Sequence, residues 1–269
     1  MSTSPASIVF TDIDGTLVDA DHHAIPADAP VIQRVAKAVP FCLVSARPPE
    51  GLRPIQRELG FTGPIAAYSG AYVLDHEGNE LYSSTIPIDV AIEAKALVEA
   101  KMPSLVIGTY SYEDWIVDSR DDERIKTEEF YVKFQARECS DMRAAFGDHG
   151  VHKLLVMGEP ADILAVEDML GQRYPELNVV RSNATLCEVM TSEASKSRAV
   201  QILCERYGTT PAEALAFGDG PNDLDMLNAV ATSYAVANAE DSVKHAASRV
   251  LPWSNVESGV ARALDELFA

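Results

Sequence analysis

The segment Asp12-Ile13-Asp14-Gly15-Thr16 places two carboxylates two residues apart, directly after the short apolar run of residues 8–10. A continuous apolar run predicts a strand buried on both faces, and open α/β sheets bind ligands at the carboxyl ends of their strands. Carboxylates at that place can act as a nucleophile, a general acid or base, or a metal ligand. Taken alone, the segment is equally well explained as an acidic turn, because Asp and Gly are ordinary turn residues.

A second segment, Gly218-Asp219-Gly220-Pro221-Asn222-Asp223, repeats this arrangement after the apolar run of residues 215–217. Pro221 and Asn222 also suit the start of a helix, so this segment has a simple structural explanation too. If both runs are central strands of one parallel sheet, the carboxylates of the two segments lie close together. Like charges that close cannot all stay ionised without a cation, and a set of oxygen ligands is typical of Mg²⁺.

Two further segments could hold a phosphate group. Ser45-Ala46-Arg47 follows the apolar run of residues 41–44 and offers a hydroxyl, backbone N–H groups and a guanidinium. Lys196 stands at the start of a predicted helix, where a cation is unfavourable to the helix dipole, so we expect an anion to compensate it. An exposed arginine after a strand and a solvated lysine are both commonplace, so each segment is weak evidence by itself.

The order of the predicted elements indicates an α/β protein whose sheet is interrupted by a second domain. Strands alternate with helices near both ends of the chain, which is typical of a parallel sheet with right-handed crossovers. The middle predicts a hairpin and then mixed strands and helices, which is typical of an α+β insertion. We therefore predict a core from residues 1–80 and 188–269, and an inserted domain from residues 81–187. The predicted elements comprise strands at 8–10, 41–44, 65–68, 71–74, 80–83, 105–109, 115–118, 153–157, 215–217 and 234–236, and helices at 26–38, 49–59, 90–101, 161–174, 196–207, 222–227 and 255–268.

The composition excludes several classes of protein. With 269 residues, 47% of them apolar and 23% charged, the chain has the composition of a globular protein with one or two domains. Its formal net charge of −19 would repel nucleic acid and anionic membranes, so we expect neither as a partner. An anionic ligand would then need a few local cations or a bound metal. The four cysteines form no C-x-x-C pair, and no signal peptide or membrane-spanning run is predicted, so the expected location is cytoplasmic.

Together and in this order, the four polar segments resemble the motifs of the haloacid dehalogenase superfamily and, more narrowly, of the Cof-type phosphatases. Residues 12–17 match the first motif, Ser45 with Arg47 the second, Lys196 the third, and residues 218–223 the fourth. The resemblance covers nearly the whole chain. It implies a Rossmannoid parallel-sheet core with a large α+β cap inserted between the second and third motifs.

Three positions depart from the family pattern. Ser45-Ala46-Arg47 stands where Thr-Gly-Arg is frequent, and Ser69-Gly70-Ala71 stands where Asn-Gly-Ala is frequent. Ser197 follows Lys196 where glycine is usual. We expect these changes to alter substrate contacts and to leave the reacting carboxylates in place.

The resemblance also implies roles for individual residues. Asp12 would be the nucleophile that forms an aspartyl-phosphate, and Asp14 the general acid and base. The implied metal is Mg²⁺, held by the Asp12 side chain, the Asp14 backbone carbonyl and Asp219, with Asp223 included in this set as the residue that orients it. The side chains implied to bind the transferring phosphoryl group are Ser45, Arg47, Lys196 and Asn222.

The function implied is a Mg²⁺-dependent phosphatase for small phosphate monoesters, such as sugar phosphates or related phosphorylated metabolites. A phosphomutase of the phosphomannomutase type and a non-catalytic sensor of phosphorylated ligands stay open as alternatives. The sequence does not indicate an oligomeric state. Two other polar features are interpreted as structural: the charged run of residues 121–129 as a solvated helix face, and His22-His23 as loop histidines without companion metal ligands.

Overall fold

The computed structural model describes residues 6–269, which fold as two units. One unit runs to Tyr82 and resumes from Ser195 to Ala269, and the other is the continuous segment Ser83–Ala194. The predicted divisions after residues 80 and 187 differ from these bounds. Residue 188 lies within the strand Leu186–Thr191, which pairs on both sides with strands of the inserted unit, so the core resumes only at Ser195.

The strands are numbered here in chain order. Over residues 6–269 they are β1 Ile8–Thr11, β2 Phe41–Val44, β3 Ile65–Ala67, β4 Tyr72–Leu74, β5 Glu80–Ser83, β6 Val106–Ser111, β7 Asp114–Val117, β8 Arg137–Glu138, β9 Lys153–Met157, β10 Leu177–Asn183, β11 Leu186–Thr191, β12 Ala214–Gly218, β13 Thr232–Ala235 and β14 Arg249–Val250.

The α-helices of the same residues follow the same convention. They are α1 Ala29–Ala38, α2 Pro49–Leu59, α3 Ile88–Lys101, α4 Glu123–Val132, α5 Met142–Phe146, α6 Pro160–Arg173, α7 Lys196–Arg206, α8 Leu224–Ala229, α9 Asp241–Ala246 and α10 Gly259–Leu267. Short 3-10 helices at Pro26–Asp28 and Pro221–Asp223 precede α1 and α8.

An eight-stranded sheet forms the centre of the first unit, in the order β14-β13-β12-β1-β2-β3-β4-β5. Its strands from β14 to β3 are mutually parallel, and β4 is antiparallel to β3. β1 lies between β12 and β2, and every residue of these three strands is buried. The predicted α/β fold with a parallel-sheet core is confirmed, and so is the central position of the two strands that precede the paired carboxylates.

The inserted unit contains a six-stranded sheet in the order β10-β11-β9-β6-β7-β8. Neighbouring strands are antiparallel except for β7 and β8. Its apolar core joins this sheet to α3, α5 and α6, through residues such as Ile107, Val156, Ala94 and Val166. Strand β10 is missing from the sequence prediction because most of its residues are exposed and carry no apolar alternation. This unit confirms the predicted α+β insertion.

Local sequence signals explain the helices that flank the core strands. Helix α2 begins with Pro49 in its first turn and ends at Leu59. The next residue, Gly60, has a φ of 70°, the left-handed conformation that glycine adopts readily. The predicted helix of residues 255–268 is shorter, because Ser258 at φ 64° separates a 3-10 turn from α10. Within residues 6–269, no helix is both long and apolar enough to cross a bilayer.

Candidate active site

Three predicted site residues directly follow central strands and lie at one edge of the sheet. Asp12 follows β1, Ser45 follows β2, and Asp219 follows β12. The parallel register pairs Thr11 with both Leu43 and Phe217, so the three strands end at the same level. The backbone N–H of Asp12 donates to the carbonyl of Phe217 at 3.0 Å, which extends this pairing into the Asp12 loop.

Lys196 connects two of the predicted carboxylates. Its Nζ atom lies 2.6 Å from Oδ1 of Asp12 and 2.5 Å from Oδ1 of Asp223. The side chains of Lys196 and Asp223 are 1% and 0% exposed, so this ion pair is shielded from water. Asp12 and Asp223 therefore both supply the negative charge that we expected to compensate a lysine at the start of a helix. Ser195 caps the helix by accepting from the Arg198 N–H at 3.1 Å.

Asp223 also organises the loop that carries Asp219. Its Oδ2 accepts hydrogen bonds from the backbone N–H groups of Asp219, at 2.9 Å, and Gly220, at 3.0 Å. Because both oxygens of Asp223 are engaged, its geometry is that of a residue that positions its neighbours. Asp219 is fixed from a second side by the Thr16 hydroxyl, which donates to its Oδ1 at 2.6 Å.

Gly15 allows the first and fourth motifs to come this close. Its φ is 81°, and a Cβ atom added there would lie 2.3 Å from Oδ2 of Asp219. Glycine is therefore required both for the backbone conformation and for the approach of the carboxylate.

The three carboxylates of Asp12, Asp219 and Asp223 each offer an oxygen within 4.8 Å of the others. Burial and the neighbouring charge of Asp223 raise the pKa of Asp12 well above its usual range, although Lys196 opposes the shift. Burial raises the pKa of Asp219 to about 6, against the hydrogen bond from Thr16. Burial alone would lower the pKa of Lys196, but the charges of Asp12 and Asp223 and the hydrogen bonds to them raise it. A compact set of oxygen ligands whose ionisation is opposed by burial fits a divalent cation such as Mg²⁺.

Asp14 lies in a separate cluster with Arg47 and His22. Nε of Arg47 donates to Oδ2 of Asp14 at 2.8 Å, Nη2 donates to Oδ1, and Nδ1 of His22 is 2.7 Å from the same Oδ1. Burial raises the pKa of Asp14, but the hydrogen bonds from His22 and Arg47 and their charges outweigh it and lower the pKa to about 2. The structure therefore holds Asp14 as a carboxylate at neutral pH.

The predicted phosphate-binding residues lie in three different surroundings. Lys196 and Ser45 are buried at the strand ends, where the Ser45 Oγ accepts from the Arg47 N–H at 3.2 Å. The Arg47 guanidinium is turned to Asp14, and its buried Nη1 has no hydrogen-bond partner among the described residues. Asn222 is exposed, and among residues 6–269 it makes no hydrogen bond to another predicted site residue.

Two asparagines that support the site are absent from the sequence prediction. Asn238 donates to the Gly15 carbonyl at 2.7 Å, and Asn255 donates to the Val18 carbonyl at 2.8 Å, so both hold the loop after β1. At Gly70, with φ 91°, a Cβ atom would lie 2.1 Å from the Ser195 carbonyl oxygen. The Gly70 turn was noted as a motif, but no local signal connects either asparagine to a loop more than 200 residues away.

Comparisons with known proteins find relatives over nearly the whole chain. The sequence profile of the haloacid dehalogenase-like hydrolases matches residues 9–264. A provisionally named phosphatase of Haemophilus influenzae is 33% identical over 97% of both chains. The 5-amino-6-(5-phospho-D-ribitylamino)uracil phosphatase YitU of Bacillus subtilis is 27% identical over 100% of both chains.

A solved structure is similar over the same extent. The crystal structure of a haloacid dehalogenase-like hydrolase from Bacteroides thetaiotaomicron superimposes with a TM-score of 0.88 at 28% identity, covering 98% of this chain and 100% of that one. The profile match and the first relative both span almost the whole chain, and both relatives described above are named as phosphatases. The chain therefore belongs to the haloacid dehalogenase-like hydrolases, Cof type, and is a phosphatase of that family.

Proposed function

We propose that this phosphatase depends on Mg²⁺ and hydrolyses small phosphate monoesters through an aspartyl-phosphate on Asp12. The observation that carries the proposal is the buried contact of Lys196 with Asp12 and Asp223 at the carboxyl ends of β1 and β12. A lysine at this place binds a nucleophilic carboxylate and can also contact the oxygens of a phosphoryl group that approaches it.

The metal would be held by the side chains of Asp12 and Asp219, together with the Asp14 backbone carbonyl. Asp223 fits a positioning role better than direct ligation, because Lys196 and two backbone N–H groups occupy its oxygens. When bound, Mg²⁺ would offset the negative charge that gathers between the carboxylates and the phosphoryl group.

In the first chemical step, an Asp12 carboxylate oxygen forms a bond to phosphorus while the bond from phosphorus to the leaving oxygen breaks. Asp14 is a carboxylate before substrate binds. The negative charge of a phosphoryl group beside it raises its pKa, so Asp14 takes up a proton from solvent and gives this proton to the leaving oxygen, and the alcohol departs neutral. In the second step, Asp14 takes a proton from water as the water oxygen bonds to phosphorus. The bond between phosphorus and Asp12 then breaks, which releases inorganic phosphate and restores the Asp12 carboxylate.

Phosphate binding is assigned to Lys196, Ser45 and Asn222, and Arg47 contributes mainly through Asp14. Lys196 and Ser45 lie at the same sheet edge as Asp12, which supports their role. Asn222 is in the 3-10 helix after β12, next to Asp223, so its assignment rests on the motif and on this position.

The substrate class we propose is a phosphorylated sugar, sugar alcohol or related small metabolite. The name of the YitU relative describes a phosphate ester on a ribityl chain, which supports including such compounds. The net charge of −19 supports a small ligand in preference to nucleic acid or an anionic membrane, and the proposal keeps the expected cytoplasmic location. It makes no assignment of oligomeric state.

The test measures release of inorganic phosphate from a panel of sugar and sugar-alcohol phosphates by purified protein, with Mg²⁺ and with EDTA. We expect Mg²⁺-dependent release, and a loss of at least about 10³-fold in kcat for Asp12→Asn, because the amide is a poor nucleophile. Asp265→Asn is the matched control, because this carboxylate pairs with Arg34 on the surface and should leave the rate unchanged.

Two results would contradict the proposal. Activity that persists in Asp12→Asn would remove Asp12 from the nucleophile role. Release that requires a sugar bisphosphate activator and yields an isomeric sugar phosphate would favour a phosphomutase. Circular dichroism of both variants shows whether a loss of activity is a loss of fold.

A further inference from the structure

His22 occupies a turn whose backbone is built around Asp19. Oδ1 of Asp19 accepts hydrogen bonds from the N–H groups of Asp21 and His23, both at 2.9 Å. The Asp19 N–H donates to the His23 carbonyl at 2.9 Å, and the His22 N–H donates to the Asp19 carbonyl at 3.1 Å. A bridge between Val18 and Ala24 closes the turn. The position of His22 is therefore fixed by its own segment.

The backbone of His22 has a conformation that is uncommon for residues other than glycine. Its φ is 60°, in the left-handed region, where Asn, Asp and His are the most frequent non-glycine residues. A non-glycine residue that is held in this region near reacting groups suggests a function for its side chain. The His22 side chain is 26% exposed and its ring is directed at Asp14, whereas the His23 side chain is 53% exposed.

The contact between His22 and Asp14 defines which atom donates. Nδ1 of His22 lies 2.7 Å from Oδ1 of Asp14, and a carboxylate oxygen can only accept, so Nδ1 carries the hydrogen. Nη2 of Arg47 donates to the same Oδ1 and lies 3.1 Å from Nδ1, while Nε of Arg47 donates to Oδ2 at 2.8 Å. Three N–H groups thus converge on Asp14 from two directions and define both the plane and the rotation of its carboxyl group.

We propose that His22 is a positioning residue, which donates from Nδ1 to Oδ1 and so holds the Asp14 carboxyl in the orientation for proton transfer to the leaving oxygen. The inference rests on the proposed function, in which Asp14 is the general acid and base. His22 itself exchanges no proton in this scheme and contacts neither the phosphoryl group nor the metal.

The inference predicts an effect that depends on the leaving group. An alkoxide leaving group needs the Asp14 proton as its bond to phosphorus breaks, whereas p-nitrophenolate departs with little help from an acid. Misplacing the Asp14 carboxyl should therefore slow hydrolysis of an alkyl phosphate more than hydrolysis of p-nitrophenyl phosphate. A general disturbance of the fold or of phosphate binding would slow both reactions alike.

The experiment compares kcat on a sugar phosphate from the active panel with kcat on p-nitrophenyl phosphate. His22→Gly keeps a residue suited to φ 60° and removes the donor. His22→Asn also suits this φ, and its Nδ2 atom can take the place of the histidine Nδ1. His23→Gly is the matched control in the same turn, and Asp14→Asn gives the largest shift in the ratio of the two rates.

For His22→Gly we expect a fall in kcat of about tenfold on the sugar phosphate and less than about threefold on p-nitrophenyl phosphate. His22→Asn should restore the wild-type ratio, and His23→Gly should keep it. An unchanged ratio in His22→Gly, or an altered ratio in His22→Asn, would overturn the inference while leaving the proposed function intact. If the wild-type enzyme releases no phosphate, or Asp12→Asn stays active, the proposed function fails and the inference fails with it.

Discussion

Replacing Lys196 with methionine tests the electrostatic design of the site most directly. Methionine keeps an unbranched side chain of similar length but removes the charge that pairs with Asp12 and Asp223. Removing one partner of a buried ion pair typically destabilises a protein by about 3–5 kcal/mol, because the remaining charge is left uncompensated. Lys196 and Asp223 are 1% and 0% exposed, so we expect Lys196→Met to fall in this range at pH 7 without metal.

The pH dependence of this loss follows from Asp12. Burial and Asp223 already raise the pKa of Asp12, and Lys196 is the group that lowers it, so the variant raises that pKa further. A carboxyl with a raised pKa in the folded state stabilises the fold at low pH and loses that contribution as the pH rises through the folded pKa. The free-energy difference between wild type and Lys196→Met should therefore be smaller at pH 5 than at pH 7.

Urea unfolding in EDTA at both pH values measures these differences. Lys95→Met is the matched control, since Lys95 pairs with the exposed residues Glu99 and Asp118 and should cost less than about 1 kcal/mol. A Lys196→Met difference as small as that of Lys95→Met, or one that grows at pH 5, would refute the reasoning. If Lys196→Met does not fold at pH 7, a folded population at pH 5 still shows that the loss of stability is smaller at the lower pH.

Three further changes test other contacts of the core unit. Burial raises the pKa of Asp75, but hydrogen bonds from the following turn and from Arg206 lower it to about 2. Asp75→Asn should therefore cost about 1–2 kcal/mol at pH 7, with a difference that disappears as the pH falls from 4 to 2 in urea unfolding. Gly15→Ala should destabilise the fold and lower kcat, because its Cβ would lie 2.3 Å from Asp219, whereas Gly78→Ala, at φ 85° with nothing within 4 Å, reports the backbone strain alone. Added Mg²⁺ should raise the unfolding free energy by about 2.7 kcal/mol at 100 times its Kd. At a fixed Mg²⁺ concentration the gain should be larger above pH 6, because Asp219 must lose its proton to bind the metal, and Asp219→Asn should lose most of the gain in a thermal shift assay.

Most strands and helices of the core could be predicted because their signals are local, whereas the short elements α9 and β14 are absent from the prediction. The apolar run Phe41–Val44 and the helix Pro49–Leu59 with its following Gly60 appear in the structure with the predicted bounds. The juxtaposition of Asp12 with Asp219 could also be predicted, since parallel strands that end in acids place them at one edge of the sheet. These inferences need only periodicity, turn chemistry and the direction of the chain.

What could not be predicted depends on contacts between distant segments. Strand β11 belongs to the inserted unit because it pairs with β9 and β10, and nothing in its own sequence decides that against the core. The position of His22 is another example. Its ring reaches Asp14 because the Asp19 turn holds the His22 backbone at φ 60°. The sequence predicts an ordinary loop histidine, whereas in the structure His22 is hydrogen-bonded to the predicted general acid and base.

Because the site carries excess negative charge, we expect it to need a bound cation before it can bind phosphate. The composition already required a local positive charge for any anionic ligand, and the sequence offered Lys196 and Arg47 as its sources. In the structure each of them is already paired with carboxylates, Lys196 with Asp12 and Asp223, and Arg47 with Asp14. With Asp219 added, four carboxylates face two cations, so a phosphate dianion would enter a site that is already negative. A divalent cation reverses this balance, and we therefore expect metal-free enzyme to lose affinity for phosphate esters as well as turnover, which equilibrium binding of a substrate to Asp12→Asn with and without Mg²⁺ can measure.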